Sequence, residues 1–267
     1  LEEILNKEPM NTEVLNTYGL ILMVYKKDLN GSKKYFEKAL QSNPSYIHSI
    51  NNLGVYYLNN NEPEKAKAEF KRLLVIEPFS YPDGYQNLAS VYVRINNFQK
   101  ALSVLKDARS KNLSLSNEWD HNYGWLLILT KDYESAIVWY KNKINKEPNN
   151  NLLYNNLGLC FFRLSNFREA EINFNIAIRQ VKNKLKKKKE KVDVRSLNAF
   201  YNLGRLAVTR KDHVLIKNIV DDIYKIQPEN AFADYLLGVS CLQKNDFRSA
   251  IDYFEKALKK DEMIREV

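Results

Sequence analysis

Five asparagines recur along the chain at nearly constant spacing, and their side chains are suited to pairing with a polypeptide backbone. They are Asn52, Asn87, Asn122, Asn156 and Asn202, separated by steps of 35, 35, 34 and 46 residues. A side-chain amide carries both a donor and an acceptor, so it can bind the N–H and C=O groups of an extended peptide without reading its side chains. This asparagine column predicts a binding surface for a protein segment.

Other residue types with chemical potential are scattered. The three histidines, His48, His121 and His213, lie far apart in the sequence, and none stands at a metal-binding spacing from Cys or another His. Six of the eight glycines occupy one repeated position, which leaves no glycine-rich loop to hold a phosphate. The sequence therefore predicts a protein that is not an enzyme, with no metal and no cofactor.

The asparagine column belongs to a longer repeated pattern that predicts paired helices. Two residues after each asparagine stands a small residue, and the series extends to both ends of the chain as Gly19, Gly54, Ala89, Gly124, Gly158, Gly204 and Gly238. A period of this length is typical of helical repeat arrays. Within the second repeat, the apolar spacing predicts a first helix from Ile47 to Asn59, a polar turn, and a second helix that ends before Pro78.

This pattern resembles the tetratricopeptide repeat family. Each repeat has a bulky residue before the small one, namely Tyr18, Leu53, Leu88, Tyr123, Leu157, Leu203 and Leu237. An aromatic or leucine follows on the second helix of six repeats, as Phe36, Phe70, Leu105, Tyr140, Phe174 and Phe254. The resemblance implies an all-α fold, a right-handed α-solenoid of about seven helix-turn-helix units. Their expected bounds are 12–46, 47–81, 82–116, 117–150, 151–196, 197–230 and 231–264, a single array preceded in residues 1–11 by the end of another repeat's second helix.

In such an array the first helices line a concave groove, and the asparagine column falls on the helical stripe that faces it. The resemblance adds that repeats of the O-linked N-acetylglucosamine transferase use a similar column on protein ligands. The same stripe supplies four more candidate groove residues, Trp125, Arg94, Arg163 and Arg205. The competing interpretation is that the asparagines are solvated or only pack one repeat against the next.

The net charge of +9 is concentrated in one segment. Between Arg179 and Arg195 nine Lys or Arg face two acidic residues, a local charge of +7, so the rest of the chain contributes only +2. The predicted basic patch consists of Lys182, Lys184, Lys186, Lys187, Lys188, Lys189 and Lys191, on a second helix expected to continue beyond its usual end. It has no interleaved aromatics for base stacking, which argues against nucleic acid as a partner.

The sequence thus favours a non-catalytic scaffold that binds an extended segment of a partner protein. Two alternatives stay open: an envelope assembly factor resembling the type IV pilus repeat lipoproteins, or the repeat region of a larger enzyme such as a glycosyltransferase. Self-association through the end repeats is a further alternative. No apolar run is long enough to span a membrane. The expected compartment is the cytoplasm, or the cell envelope if a leader precedes a truncated N-terminus.

Overall fold

A computed structural model describes residues 4, 7–187 and 194–260, which form helices and no strand. They divide into two compact units, one ending at Thr130 and one beginning at Lys131. Unit 1 contains α1 (Thr12–Val24), α2 (Leu29–Ser42), α3 (Ile47–Asn59), α4 (Pro63–Ile76), α5 (Pro82–Arg94), α6 (Phe98–Ser110) and α7 (Asn117–Leu129). Unit 2 contains α8 (Tyr133–Lys146), α9 (Asn151–Arg163), α10 (Phe167–Lys187), a 3-10 turn (Val194–Leu197), α11 (Asn198–Thr209), α12 (His213–Ile226), α13 (Ala231–Gln243) and α14 (Phe247–Lys260).

In both units, consecutive helices pair as hairpins, and the first helices of successive hairpins also touch. In unit 1 the hairpins are α1/α2, α3/α4 and α5/α6, with α1 against α3 and α3 against α5. In unit 2 they are α9/α10, α11/α12 and α13/α14, with α9 against α11 and α11 against α13. The predicted all-α repeat class is confirmed, and α3 has the predicted bounds.

The turn inside each hairpin has one recurring backbone conformation. The second residue after the first helix, or the third after α1, takes a left-handed φ between 54° and 63°, at Lys27, Asn61, Asn96, Ser165, Lys211 and Asn245. This conformation ends the helix because the following N–H groups turn back to the last free carbonyls, as Glu62 N–H does to Tyr57 C=O at 2.8 Å. An Asp or Asn side chain then caps the second helix in every hairpin named except α3/α4, as Asp28 does for Gly31 N–H at 2.9 Å, whereas α4 begins at Pro63 without a side-chain cap.

The spacing of glycine and phenylalanine that recurs from one hairpin to another has a direct packing cause. A Cβ placed on Gly54 would lie 2.5 Å from the Phe70 ring, and one on Gly158 would lie 2.7 Å from the Phe174 ring. The glycine therefore lets the second helix seat its fully buried ring against the first. In the α11/α12 hairpin the glycine, Gly204, instead faces Leu236 of the next hairpin.

Helix α10 is longer than the other second helices. It spans 21 residues, whereas α12 and α14 span 14 each. Ile178 and Val181 in its C-terminal half are buried. The extension therefore packs against unit 2 for at least one further turn, which places its lysines beside neighbouring helices.

Candidate functional site

In each unit, one side of the first helices carries the half-buried residues of the asparagine column and is called here the first-helix face; it includes Asn52, Asn87 and Asn122 in unit 1 and Asn156 and Asn202 in unit 2. Three column members bond across to the preceding hairpin. Asn52 Nδ2 donates to Asn16 Oδ1 at 2.9 Å, and Asn87 Nδ2 donates to Asn51 Oδ1 at 2.8 Å. In unit 2, Asn202 Nδ2 on α11 donates to Asn155 Oδ1 on α9 at 2.9 Å. The bonds show that these amides help to align neighbouring hairpins, one of the two interpretations left open by the sequence.

The amides of Asn52, Asn87 and Asn202 keep further hydrogen-bonding capacity. Each of the three bonds uses only one of the two N–H groups on Nδ2, and the Oδ1 of Asn52, Asn87 and Asn202 accepts no bond from any described residue. All three side chains are half-buried. The inter-hairpin bond therefore fixes the orientation of an amide that still has a free acceptor and one free donor.

The other two members of the column differ. Asn156 donates to Tyr140 Oη at 3.2 Å and accepts from Asn155 Nδ2 at 3.1 Å, so its oxygen is already engaged. Asn122 forms no hydrogen bond with the described part of the chain. Its expected acceptor, Gln86, instead accepts from the Ser116 backbone N–H at 2.9 Å and hydroxyl at 2.7 Å. The structure thus brings the column onto one type of helix but gives its members different bonding.

The acceptors on the preceding hairpin were missed by sequence reasoning. Asn16, Asn51 and Asn155 each stand one residue before the column position of their own helix. The doubled Asn-Asn pairs at 51–52 and 155–156 were the available signal, because one member of each pair can face the preceding hairpin and the other the following one. Without the hairpin spacing, the sequence does not tell which amide pairs with which.

The predicted groove arginines have different surroundings. Arg94 Nη1 donates to Leu58 C=O at 2.9 Å and Nη2 to Asn61 Oδ1 at 3.2 Å, so its guanidinium caps the end of α3. The Arg205 guanidinium lies 5.5 Å from the ring centre of Phe232. Arg163 is exposed, and Trp125 keeps 43% of its surface accessible. Arg94 therefore has a clear structural role, whereas Arg163, Arg205 and Trp125 are accessible to a ligand.

The predicted basic patch is partly tied to the body of unit 2. Lys182 Nζ lies 2.5 Å from Asp222 Oδ2 on α12, and Lys184 Nζ donates to Asn151 Oδ1 at 2.8 Å. Lys186 is exposed, and Lys187 is the last residue of α10. Lys188, Lys189 and Lys191 lie outside the described residues. The first two lysines thus hold the extended helix in place and are less available to an acidic partner.

The residues with catalytic potential are not assembled into one site. His121 Nδ1 bonds Asn117 C=O of its own helix at 2.7 Å, and His213 Nδ1 on α12 bonds Ser240 Oγ on α13 at 2.9 Å. Burial raises the pKa of the Cys160 thiol to about 12, which keeps it protonated and unreactive near neutral pH. Among residues 4, 7–187 and 194–260, no three His, Cys, Asp or Glu side chains are grouped to hold a metal. Nor is any of the described helices long and apolar enough to cross a bilayer.

Comparison with protein families gives one consistent match. Three family models, each described as tetratricopeptide repeat, match residues 35–68, residues 87–142, and residues 12–46 together with 235–262. The matched stretches contain hairpins of both units. They fall on the same repeated helices that carry the first-helix face.

Individual relatives and solved structures are more distant. The chain is 26% identical over 227 residues to a BBSome complex member BBS4 homolog of Drosophila melanogaster, a match that covers 85% of the chain but 44% of the relative. It thus spans under half the length of that relative. A tetratricopeptide repeat protein from Parabacteroides merdae superposes with a TM-score of 0.65 at 18% identity, over 96% of both chains. PilW, a type IV pilus biogenesis factor, gives 0.58 at 14% identity over 85% of this chain and 98% of its own. At such identities the structural likeness shows the fold alone.

Proposed function

Because the chain belongs to the tetratricopeptide repeat family, we propose that it is a non-catalytic scaffold whose first-helix face binds an extended segment of a partner protein. The observation that carries this proposal is the geometry of Asn52, Asn87 and Asn202. Each has its amide oriented by one inter-hairpin bond and keeps a free acceptor. Groups held in place before binding lose less conformational entropy when they pair with a ligand, which favours the use of these amides for recognition.

The asparagines alone would give weak binding. A net hydrogen bond contributes about 0.5–1.5 kcal/mol, so three would contribute about 3 kcal/mol before the cost of ordering the ligand. Specific affinity then depends on neighbouring side chains of the same face. Trp125 is the best anchor in unit 1, because a half-exposed indole can bury a large apolar area on a partner. In unit 2, Arg163 and Arg205 would contact acidic or carbonyl groups.

The relatives are compatible with such a role. The Drosophila relative is described as a member of a protein complex. A scaffold that holds a partner segment on a helical repeat surface would serve in an assembly of this kind. The chain spans less than half of that relative, so its membership of a protein complex is itself part of the proposal.

Paired asparagine variants test the proposal while separating binding from packing. Asn52→Ala removes both the inter-hairpin bond and the outward amide, whereas Asn16→Ala removes the same bond, and the one from Ser49 Oγ at 3.0 Å, from a buried acceptor. In unit 2 the pair is Asn202→Ala and Asn155→Ala, of which Asn155→Ala also removes the bond to Asn156 Oδ1. Each variant would be used to recover partners from the native cell, with quantification by mass spectrometry and a folding check by circular dichroism.

We expect recovery of a partner to fall several-fold with Asn52→Ala or Asn202→Ala and to fall much less with the matched control. Equal recovery with each member of a pair would mean that the asparagines serve only the packing of hairpins. That result would overturn the proposed use of the column.

A further inference from the structure

One end of the first-helix face in unit 1 carries an alternation of acidic and aromatic residues. Glu13, His48 and Asp83 each occupy the second residue of a first helix, in α1, α3 and α5. Tyr46 and Tyr81 immediately precede α3 and α5. These five residues, named here the acidic edge, therefore lie at the same end of three successive first helices.

The rings of the acidic edge form a continuous row. The Tyr46 and His48 ring centres lie 5.4 Å apart, and those of His48 and Tyr81 lie 6.1 Å apart, both in edge arrangements. Burial and then the charge of Glu13 raise the pKa of Tyr46, while burial and then Asp83 raise the pKa of Tyr81. Glu13 stands on α1, which contacts α3, and Asp83 follows Tyr81 by two residues, so the carboxylates flank the row in the order Glu13, Tyr46, His48, Tyr81, Asp83.

The two carboxylates have no cationic partner among the described residues. The Glu13 carboxylate forms no ion pair or hydrogen bond there, its residue bonding only through the backbone carbonyl to Thr17 Oγ1, and the Asp83 carboxylate accepts one neutral bond, from Gln86 Nε2 at 2.9 Å. By contrast Glu64, in the first turn of a second helix, is paired with Lys67. The negative charge of the acidic edge is therefore left uncompensated on the face proposed to bind a partner.

Basic side chains that approach this end of unit 1 are already neutralised by other carboxylates. Arg72 donates to Pro44 C=O and lies 3.5 Å from Glu69. Lys111 approaches the Phe79 ring but is paired with Asp107. Their charges are matched by neighbours on the second helices, so they do not compensate Glu13 and Asp83.

We propose that the acidic edge of unit 1 binds basic side chains, arginine above all, of an extended partner segment. This inference rests on the proposed function and adds the charge of the ligand to it. A guanidinium can pair with a carboxylate through two hydrogen bonds and can also stack on an aromatic face. Lysine offers only a compact charge, so arginine fits an edge that combines both groups.

Helix spacing sets the spacing of the basic residues. Packed helices lie about 8–10 Å apart, and a peptide in the extended polyproline II conformation advances about 3.1 Å per residue with three residues per turn, so that every third side chain lies on the same side. One hairpin therefore corresponds to about three peptide residues. A segment with arginines at its first, fourth and seventh residues would place the outer two at Glu13 and Asp83, and the middle one over the row of rings.

Acidic residues in a first helical turn also stabilise the helix through its dipole, a role that needs no ligand. The test must therefore separate ligand binding from helix stability. Glu64 and Glu134 occupy the first turns of α4 and α8, both second helices. The pair Glu64→Gln and Glu134→Gln removes the same charge and the same kind of dipole contribution away from the acidic edge.

The experiment measures binding of labelled seven-residue peptides to the full chain by fluorescence anisotropy. One peptide has arginine at its first, fourth and seventh residues and alanine elsewhere; a second has three adjacent arginines; a third has glutamate in place of each arginine. We expect the spaced arginine peptide to bind several-fold more tightly than the adjacent one, with no binding of the glutamate peptide. Glu13→Gln with Asp83→Asn should weaken it about tenfold, because two exposed ion pairs are lost, and the Glu64→Gln with Glu134→Gln control should not.

Three results would overturn the inference: no binding of either arginine peptide, equal binding of arginine and glutamate peptides, or equal loss in the control variant. Failure of the proposed function itself has a different signature, because the cellular partner would then be recovered equally by Asn52→Ala and Asn16→Ala. A partner that is lost with Asn52→Ala but retained by Glu13→Gln with Asp83→Asn would contradict the proposed role of the acidic edge and would still support binding to the first-helix face.

Discussion

The first-helix faces of the two units share a backbone pattern but carry different side chains. The second residue of each first helix is acidic or histidine in unit 1, namely Glu13, His48, Asp83 and Glu118, and uncharged in unit 2, namely Leu152, Ala199 and Phe232. In unit 2 the face carries an aromatic row, in which the Tyr201 and Phe232 ring centres lie 4.7 Å apart. An arginine lies over this row, in place of the carboxylates that flank the row of unit 1.

Equivalent positions of one repeat therefore carry different chemistry, because packing fixes only the buried residues. Gly54 against Phe70 and Gly158 against Phe174 serve the same contact in both units. The exposed positions have no such restriction, so they can be selected for a ligand. The comparison teaches that the repeat pattern determines the scaffold, whereas a few exposed residues determine which ligand binds.

The largest expected effect concerns a buried carboxylate, the only one among the residues of unit 2 that the structure describes. Asp234 on α13 is 3% exposed, accepts from Tyr224 Oη at 2.9 Å and lies 2.9 Å from Lys260 Nζ. Lys260→Met would leave a buried charge without its cation and should lower the free energy of unfolding of unit 2 by about 3 kcal/mol. Hydrogen exchange across α13 and α14 measures this change.

The neighbouring exposed Lys259→Met is the control for that variant and should change protection little. Adding Asp234→Asn to Lys260→Met should restore much of the loss, since the buried charge is then absent. Unchanged protection in Lys260→Met would show that Asp234 does not depend on the lysine.

A second prediction compares the glycine contacts of the two units. Gly54→Ala would press a Cβ against the fully buried Phe70 ring at 2.5 Å, and overpacking of this kind costs about 1–3 kcal/mol. Gly204→Ala meets the end of the Leu236 side chain at 2.6 Å, which can rotate more easily than a ring. Urea unfolding should show the larger loss for Gly54→Ala, and the reverse order would contradict the packing account.

The same contacts explain which features of the fold and the candidate site could be predicted from the sequence. The helices and the glycine–aromatic pairs were predictable, because a fixed period places them on one helical face. The bond from Asn87 to Asn51 and the cap of α3 by Arg94 were not. Both depend on how far one hairpin sits from the next, a distance that periodicity within a single repeat does not contain.

A smaller effect is expected at the turns inside the hairpins. The left-handed residue is an asparagine at 61, 96 and 245 but a lysine or serine at 27, 165 and 211, so each unit contains both kinds of turn. Asparagine tolerates this conformation better than serine or lysine, and glycine better still. Ser165→Gly and Lys211→Gly should each raise the free energy of unfolding by about 0.5–1 kcal/mol, as read from denaturant midpoints. Asn61→Gly should give a smaller gain, and a stabilisation as large as that of Ser165→Gly would contradict the proposed advantage of asparagine at these turns.

The smallest prediction concerns acid sensitivity in the last hairpin. The hydrogen bonds from Ser249 hold the pKa of the Asp246 carboxyl below its ordinary value of 3.8. Because the folded-state pKa is the lower one, the capping contribution is complete above pH 3.8 and is lost as the pH falls through the folded-state value. Asp246→Asn keeps a capping oxygen that does not titrate, so hydrogen exchange in α14 should depend less on pH in this range. An identical pH dependence in both proteins would show that the cap makes no such contribution.

The most direct measurement for the binding face is site-specific photo-crosslinking in the native cell. A photoreactive side chain would replace Val55 or Ser90 on the first-helix face of unit 1, and, as matched controls, the exposed Val75 of α4 or Val138 of α8 on second helices. The proposed function predicts that one partner is captured from the first-helix positions and is absent from the second-helix positions. Capture of that partner from Val75 or Val138, with none from Val55 or Ser90, would contradict it and move the binding site to the second helices.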